Sequence, residues 1–290
     1  MGSSSDSPEK RNRYSRISRI AREELNMNNV NKTLYIPLYG KSYVSKKGII
    51  LDDKKAEEIW EKEGFELKGK SKSKWLAYYM GMRSKVFDMW LAQKMNEIEN
   101  AVVVHIGCGM DSRVERVGAK GHLWYDVDFP EVIEERKRYF KETEEYHMLA
   151  SDARKQEWMK ELPENVPAII VMEGVSMYLT HDDLIALLSA LKPHFSSLYL
   201  LMDCYTLFAA KASKYKNPIN DVGVTEVHGL DEPKLLENSG LKFVKEYEMT
   251  PQSLINELKG IEKSIFEKLY AGSIAKKMYR LYGYQYGKEV

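Results

Sequence analysis

Residues 102–113 read VVVHIGCGMDSR and residues 124–132 read WYDVDFPEV. The first is an apolar, β-branched run that stops at Gly107-Cys108-Gly109; the second stops at Asp128, two residues before Pro130. A strand closed by a glycine turn, then a strand closed by an acid, is the order in which a doubly wound α/β fold builds a nucleoside crevice. Glycine at 107 and 109 permits a tight turn and leaves no Cβ between backbone and ligand. Asp128 lies 19 residues beyond Gly109, near the ~20 expected of the acid that accepts hydrogen bonds from ribose hydroxyls. Two readings compete with this: Asp128 as a cap of the next helix, and Asp126, one pleat repeat earlier, as the ribose acid.

From Gly107 the turn runs G-C-G-M-D-S, so Ser112 stands where a dinucleotide-binding turn has its third glycine. That glycine lets helix and strand pack closely beside a pyrophosphate. Its replacement, with Asp111 adding negative charge to the loop, argues against an NAD-type dehydrogenase. A nucleoside without phosphate suits the turn better. S-adenosylmethionine, which carries adenosine, ribose, a sulfonium and an amino-acid end, is the expected cofactor.

Outward from this stretch the rhythm is strand, helix, strand. Strands are expected at about 102–106, 122–127, 145–149, 168–172, 197–203 and 242–247, and helices at about 130–143, 154–161, 181–192 and 231–239. The last helix has Asp231 as its N-cap, Pro233 in its first turn and Gly240 just past its end. The tail MYRLYGYQYG, 278–287, reads as a final, antiparallel strand. Such alternation implies an α/β fold with a mostly parallel sheet. The strand ends then place Gly107, Asp128, Ser151-Asp152-Ala153-Arg154 and Glu173 on one rim, with Tyr178 following.

Residues 10–97 read instead as mainly helical. One amphipathic segment holds Glu57, Ile59, Trp60 and Phe65, interrupted by Gly64; a longer one runs from Trp75 to Met95. Between α-helical patterns, LYIPLYGKSYVSKKGIILDD (34–53) is expected to be irregular, because Gly and Pro mark it. The chain thus divides into an N-terminal helical lid, 1–97, and a cofactor-binding body, 98–290.

The 44 basic and 43 acidic residues of the 290-residue chain leave a charge of +1, which gives no general pull toward nucleic acid or an anionic membrane. One local exception, Arg11 to Arg22, holds five arginines and no acid; it reads as a solvated helix face or as a patch that steers an anion. Met1-Gly2 opens like a myristoylation signal, but Asp6 breaks the motif. Cys108 and Cys204 have neither disulfide nor metal-ligand spacing, and no apolar run approaches a membrane span. A cytoplasmic protein without a metal is expected.

The segments 33–59, MRSKVFD (82–88), VVVHIGCGMDSR, WYDVDFPEV, SDAR (151–154) and MEGVSMYL (172–179) resemble, in this order, the leucine carboxyl methyltransferase family. Within it they are most similar to the branch of small-molecule O-methyltransferases typified by the tetracenomycin polyketide enzyme. The resemblance implies a class I (Rossmann-like) S-adenosylmethionine-dependent fold, with a seven-stranded sheet and a helical lid. It implies that Arg83 grips the cofactor carboxylate with Lys47 as helper. Gly107 and Gly109 would line the cofactor, Asp128 its ribose, Asp152 its adenine and Glu173 the region of the sulfonium. Arg154 and Tyr178 correspond to positions at the substrate carboxylate in the leucine carboxyl branch.

The acceptor expected is a small molecule, a polyketide-like phenol or a carboxylate. A carboxylate needs no base, whereas a phenol gains from one. Among the six histidines, His105 and His122 fall in expected strands and His181 at a helix start; His228, in a loop-rich segment, is the candidate base. Methylation of a peptide or protein C-terminus is the alternative that Arg154 would favour.

Overall fold

A computed structural model describes residues 34–64, 72–213 and 227–287. The Arg11–Arg22 segment, the chain start and Phe65 lie outside the described residues.

Seven strands form one sheet: β1 (Val102–Ile106), β2 (Trp124–Asp128), β3 (Tyr146–Ala150), β4 (Pro167–Met172), β5 (Ser197–Tyr205), β6 (Lys242–Glu246) and β7 (Tyr279–Tyr286). Their order is β3-β2-β1-β4-β5-β7-β6. The first five pair in parallel, whereas β7 runs antiparallel between β5 and β6. Strand order reverses between β1 and β4, both of which start the central crevice, and that switch point is where an open α/β sheet takes a ligand. The central strands read as apolar runs rather than alternations because both faces are covered. On one face lie Leu184, Leu187, Leu188 and Leu191 of α6 (His181–Leu191). On the other lie Phe87, Trp90 and Leu91 of α3 (Lys74–Glu97), packed with Val103, Ile169, Val171 and Leu201.

The segment 34–53 departs from expectation. Residues 34–46 form a helix, α1. Its glycine is a packing device and not a break: a Cβ at Gly40 would come within 2.8 Å of Met80 Cβ, and one at Gly81 within 2.8 Å of Val44 Cγ2. Close approach of α1 and α3 explains both small residues. The next helix, α2 (Lys54–Glu63), starts where the Asp53 carboxylate accepts the Ala56 amide and stops at Gly64 in the left-handed region.

Three other helices are shorter or tighter than expected. The helix after β2, α5, covers only Pro130–Arg136, because Arg136 turns inward and its guanidinium is held by Asp126, Tyr146 and the Gly109 carbonyl. The helices expected at 154–161 and 231–239 are 3₁₀ segments, Glu157–Glu161 and Pro233–Ser239. Glu232 caps the latter, since the Asp231 carboxylate accepts the Leu207 amide instead. Helix α6 begins with a capping box, Thr180 and Asp183 exchanging hydrogen bonds. After β5 comes α7 (Leu207–Ser213), and α8 (Gln252–Ile255), α9 (Gly260–Leu269) and α10 (Gly272–Met278) precede β7. Leu254, Ile255, Phe266 and Ala275 of these helices pack with Val44, Tyr78 and Met82 of the N-terminal part. No helix among the described residues is long and apolar enough to cross a membrane.

Candidate cofactor and acceptor site

The turn after β1 is set by its glycines. Gly107 has φ +68°, and a Cβ there would fall 1.9 Å from Val175 Cγ2, so only glycine fits. The short helix that follows, α4 (Arg113–Val117), starts within the same loop. Gly109 also lies in the left-handed region, at φ +50°. Its amide donates to Asp128 Oδ2 at 2.7 Å, and the Phe129 amide donates to Asp128 Oδ1 at 2.8 Å. Burial lifts the Asp128 carboxyl above the usual aspartate range, against the pull of these two amides. Asp126 is fully buried and is held by Arg136, Tyr146 and Trp124, so it faces the protein and not the rim.

Behind the rim lies a buried ionic network. Arg83 of α3 donates from Nε to Glu173 Oε1 at 3.0 Å and from Nη1 to Asp203 Oδ2 at 2.8 Å. Glu173 also accepts from Ser84 and from the Arg113 guanidinium. Burial alone would raise the Glu173 carboxyl, but Arg83 and Arg113 hold it down at about 2. Asp203, whose other oxygen accepts the Gly174 amide at 2.6 Å, is held above its usual range by burial. Farther along, Asp88 takes Arg113 and Arg116, each at 2.7 Å, and Asp53 takes Arg116 at 2.6 Å. Charges so deeply buried are tolerable only when paired and hydrogen-bonded throughout.

Asp111 belongs to this network. Lys41, Arg116 and Arg113 lie 3.2, 2.8 and 3.2 Å from it. Its charge is therefore neutralised inside the protein and is not presented to the crevice, contrary to the expectation that it repels a pyrophosphate. Ser112 likewise turns its hydroxyl to Asp53 at 2.5 Å.

The structure thus brings Arg83, Gly107, Gly109, Asp128 and Glu173 to one end of the sheet. Lys47 stands apart: its ammonium takes Tyr78 at 2.6 Å and Glu262 at 3.1 Å, and the lysine that enters the network is Lys41. Asp152 and Arg154 pair with one another at the surface, Nη2 to Oδ2 at 2.5 Å. Asp183, the third residue of α6 and Thr180's partner in its capping box, lies within electrostatic range of both Arg154 and His228. The His228 amide donates to the Met177 carbonyl, which places it beside Tyr178. His122, His181 and His194 bond backbone carbonyls, and His105 lies buried against Arg113. Asp203, Arg113 and Arg116 escaped the sequence reading; a lone aspartate within the apolar run LYLLMDCY was the visible signal. Among the described residues no cluster suits a metal ion.

The leucine carboxyl methyltransferase family matches the chain over residues 28–192, more than half its length. The chain belongs to this family. The dehydrogenase alternative falls with that match; this chain is an S-adenosylmethionine-dependent methyltransferase. Among curated relatives, the tetracenomycin polyketide synthesis O-methyltransferase TcmP of Streptomyces glaucescens is 26% identical over 245 residues, covering 83% of this chain and 91% of that protein. The S-adenosyl-L-methionine-dependent methyltransferase dpfgK of Gibberella zeae is 27% identical over 193 residues, 60% of this chain and 64% of that protein. Among solved structures, the magnesium protoporphyrin IX methyltransferase ChlM of Synechocystis PCC 6803, with bound SAH, is 13% identical with a TM-score of 0.46. That alignment covers 79% of this chain and 92% of the other.

Proposed function

We propose that this protein is an O-methyltransferase of small-molecule acceptors that works in the cytoplasm, and that its cofactor lies along the carboxyl ends of β1, β2 and β4. The carrying observation is the glycine turn after β1: Gly107 and Gly109 take left-handed backbone, Gly107 packs against Val175, and the Gly109 and Phe129 amides orient the Asp128 carboxylate at the adjoining strand end. These residues fit S-adenosylmethionine. Asp128 would accept the ribose hydroxyls, a charge-assisted pair of contacts. Asp152 stands for the adenine end, and Glu173 for the side of the sulfonium.

Arg83 would hold the cofactor carboxylate through Nη2, since its Nε and Nη1 are committed to Glu173 and Asp203. Lys41 replaces Lys47 as the lysine of that end, because it joins the same ionic network. Helices α1, α2 and α3 would serve as both cover and wall, since α3 carries Arg83 into the body.

The bound cofactor supplies an electrophilic methyl group. The protein's own part is alignment and exclusion of water, effects that can contribute several kcal/mol. Tyr178 and His228 border the acceptor side, where Leu207 and Phe208 of α7 offer exposed apolar surface. Likeness to TcmP supports a polyketide-like phenol or carboxylate as acceptor. A peptide C-terminus ranks below this, because the similarity to a small-molecule O-methyltransferase spans 83% of the chain. The free, buried cysteines suit a reducing compartment. The test is a metabolite-extract screen with isotopically labelled methyl donor: label should enter a small hydroxyl or carboxyl product, and label confined to protein or peptide would overturn the reading.

A further inference from the structure

A group of tyrosines gathers where the parallel sheet meets its antiparallel strand, apart from the glycine turn. Tyr205 ends β5 and pairs in register with Tyr279, which begins β7. Their rings meet edge-on with centroids 4.7 Å apart. Met177, Ala209 and Ala210 pack on Tyr205, so α7 covers the group. Tyr178 enters from the Ser176–Tyr178 turn and keeps 38% of its surface open. Tyr79 of α3 lies against Tyr279 at 5.7 Å, one helical turn before Arg83 and on the same face.

Tyr79 is 8% exposed, yet among the described residues its hydroxyl has no hydrogen-bond partner. A buried hydroxyl in that condition destabilises a fold, and phenylalanine would fill the same space without the defect. The nearest charged groups do not relieve it, because Arg83 is engaged with Glu173 and Asp203. Burial holds its ionisation well above the usual tyrosine range, so it stays a neutral donor at physiological pH. The Arg83 guanidinium is fixed in place by those two carboxylates, whereas the Tyr79 phenol is committed to no partner among the described residues.

We infer that the Tyr79 hydroxyl binds the methyl acceptor, donating to its oxygen-bearing end while the apolar body of the acceptor rests on Tyr178, Tyr205 and Tyr279. This rests on the methyltransferase reading above and names the group that recognises the acceptor there. The recognised chemistry is a hydrogen-bond-accepting oxygen on an aromatic body, either a phenol or an aromatic carboxylate.

The experiment compares the wild type with Tyr79→Phe, using 1-naphthol and 1-naphthoic acid as probes of the SAH-loaded protein by calorimetry. The variant should keep or raise the melting temperature, keep SAH affinity within twofold, and bind at least one probe tenfold or more weakly. The probe that loses affinity tells which oxygen chemistry the hydroxyl serves. A fall in melting temperature would show that the hydroxyl has a structural partner, and a fall in SAH affinity would assign it to the methyl donor. Either result overturns the inference, as does unchanged binding of both probes or a wild type that binds neither. Labelled-methyl transfer by the wild type is followed separately: its absence with every acceptor sinks the methyltransferase reading, whereas the binding difference between the two proteins judges Tyr79.

Discussion

The Gly109 amide donates to the Asp128 carboxylate at 2.7 Å, tying the glycine turn after β1 to the acid that ends β2. The contact presents the carboxylate at the rim in one orientation. If Asp128 holds the ribose, Asp128→Ala should abolish most SAH binding with little change in the far-ultraviolet spectrum. Unchanged affinity by calorimetry would remove Asp128 from the cofactor site.

The same carboxyl titrates above the ordinary aspartate range, because burial disfavours its charge. Protonation should therefore weaken SAH binding at a higher pH than an exposed aspartate would. Affinity measured from pH 7 downward is expected to fall earlier in the wild type than in Asp128→Asn, which has no proton to gain there. Parallel profiles would show that another group controls the effect.

A methyl group at position 107 meets Val175 Cγ2 at 1.9 Å, with a backbone φ of +68° that L-residues disfavour. Gly107→Ala is expected to lower stability by ~1–3 kcal/mol and to displace Val175 into the crevice. Adding Val175→Ala should recover part of the stability by relieving the contact, while the backbone strain remains. Urea denaturation of the three proteins checks the order.

Arg113 is fully buried and serves Asp88, Asp111 and Glu173 together. Arg113→Leu leaves those carboxylates short of a partner and should destabilise by about 3–5 kcal/mol, as for broken buried pairs. A loss below 1 kcal/mol in urea would mean that Lys41 and Arg116 suffice.

Acid should unfold the protein through the same acids. Glu173 and Asp126 are each held at about 2 in the fold, against ordinary values of 4.5 and 3.8. A depressed folded value means stabilisation that is complete above the unfolded value and disappears as pH falls toward 2. Asp203 and Asp128, held above their usual range by burial, act in the opposite sense and moderate the loss. The urea midpoint should thus be level near neutrality and fall mainly below pH 4.5. Glu173→Gln should have a shallower acid limb.

What the sequence determined by itself is local. The β-branched runs, the Gly107 and Gly109 turn, the Asp128 strand end and the periodicity of α3 each announce themselves within a few residues, because strand, turn and helix preferences act at short range. Alternation of strand and helix then limits the topology to a mostly parallel sheet, and the tail read as its final antiparallel strand, while the count of seven strands was what the family resemblance implied. Tertiary structure decided the rest. Gly40 reads as a break and is a contact with Met80. Asp111 reads as an exposed charge and is buried beneath Lys41, Arg113 and Arg116. Lys47 and Lys41 are indistinguishable in composition, yet the fold sends one to Glu262 and the other to Asp111. Asp203 joins Arg83 across 120 residues, and Tyr79 meets Tyr279 across two hundred. Pairings of that kind depend on which elements the sheet brings together, and on burial that makes a charge or hydroxyl find a partner or go without. No local pattern carries either quantity.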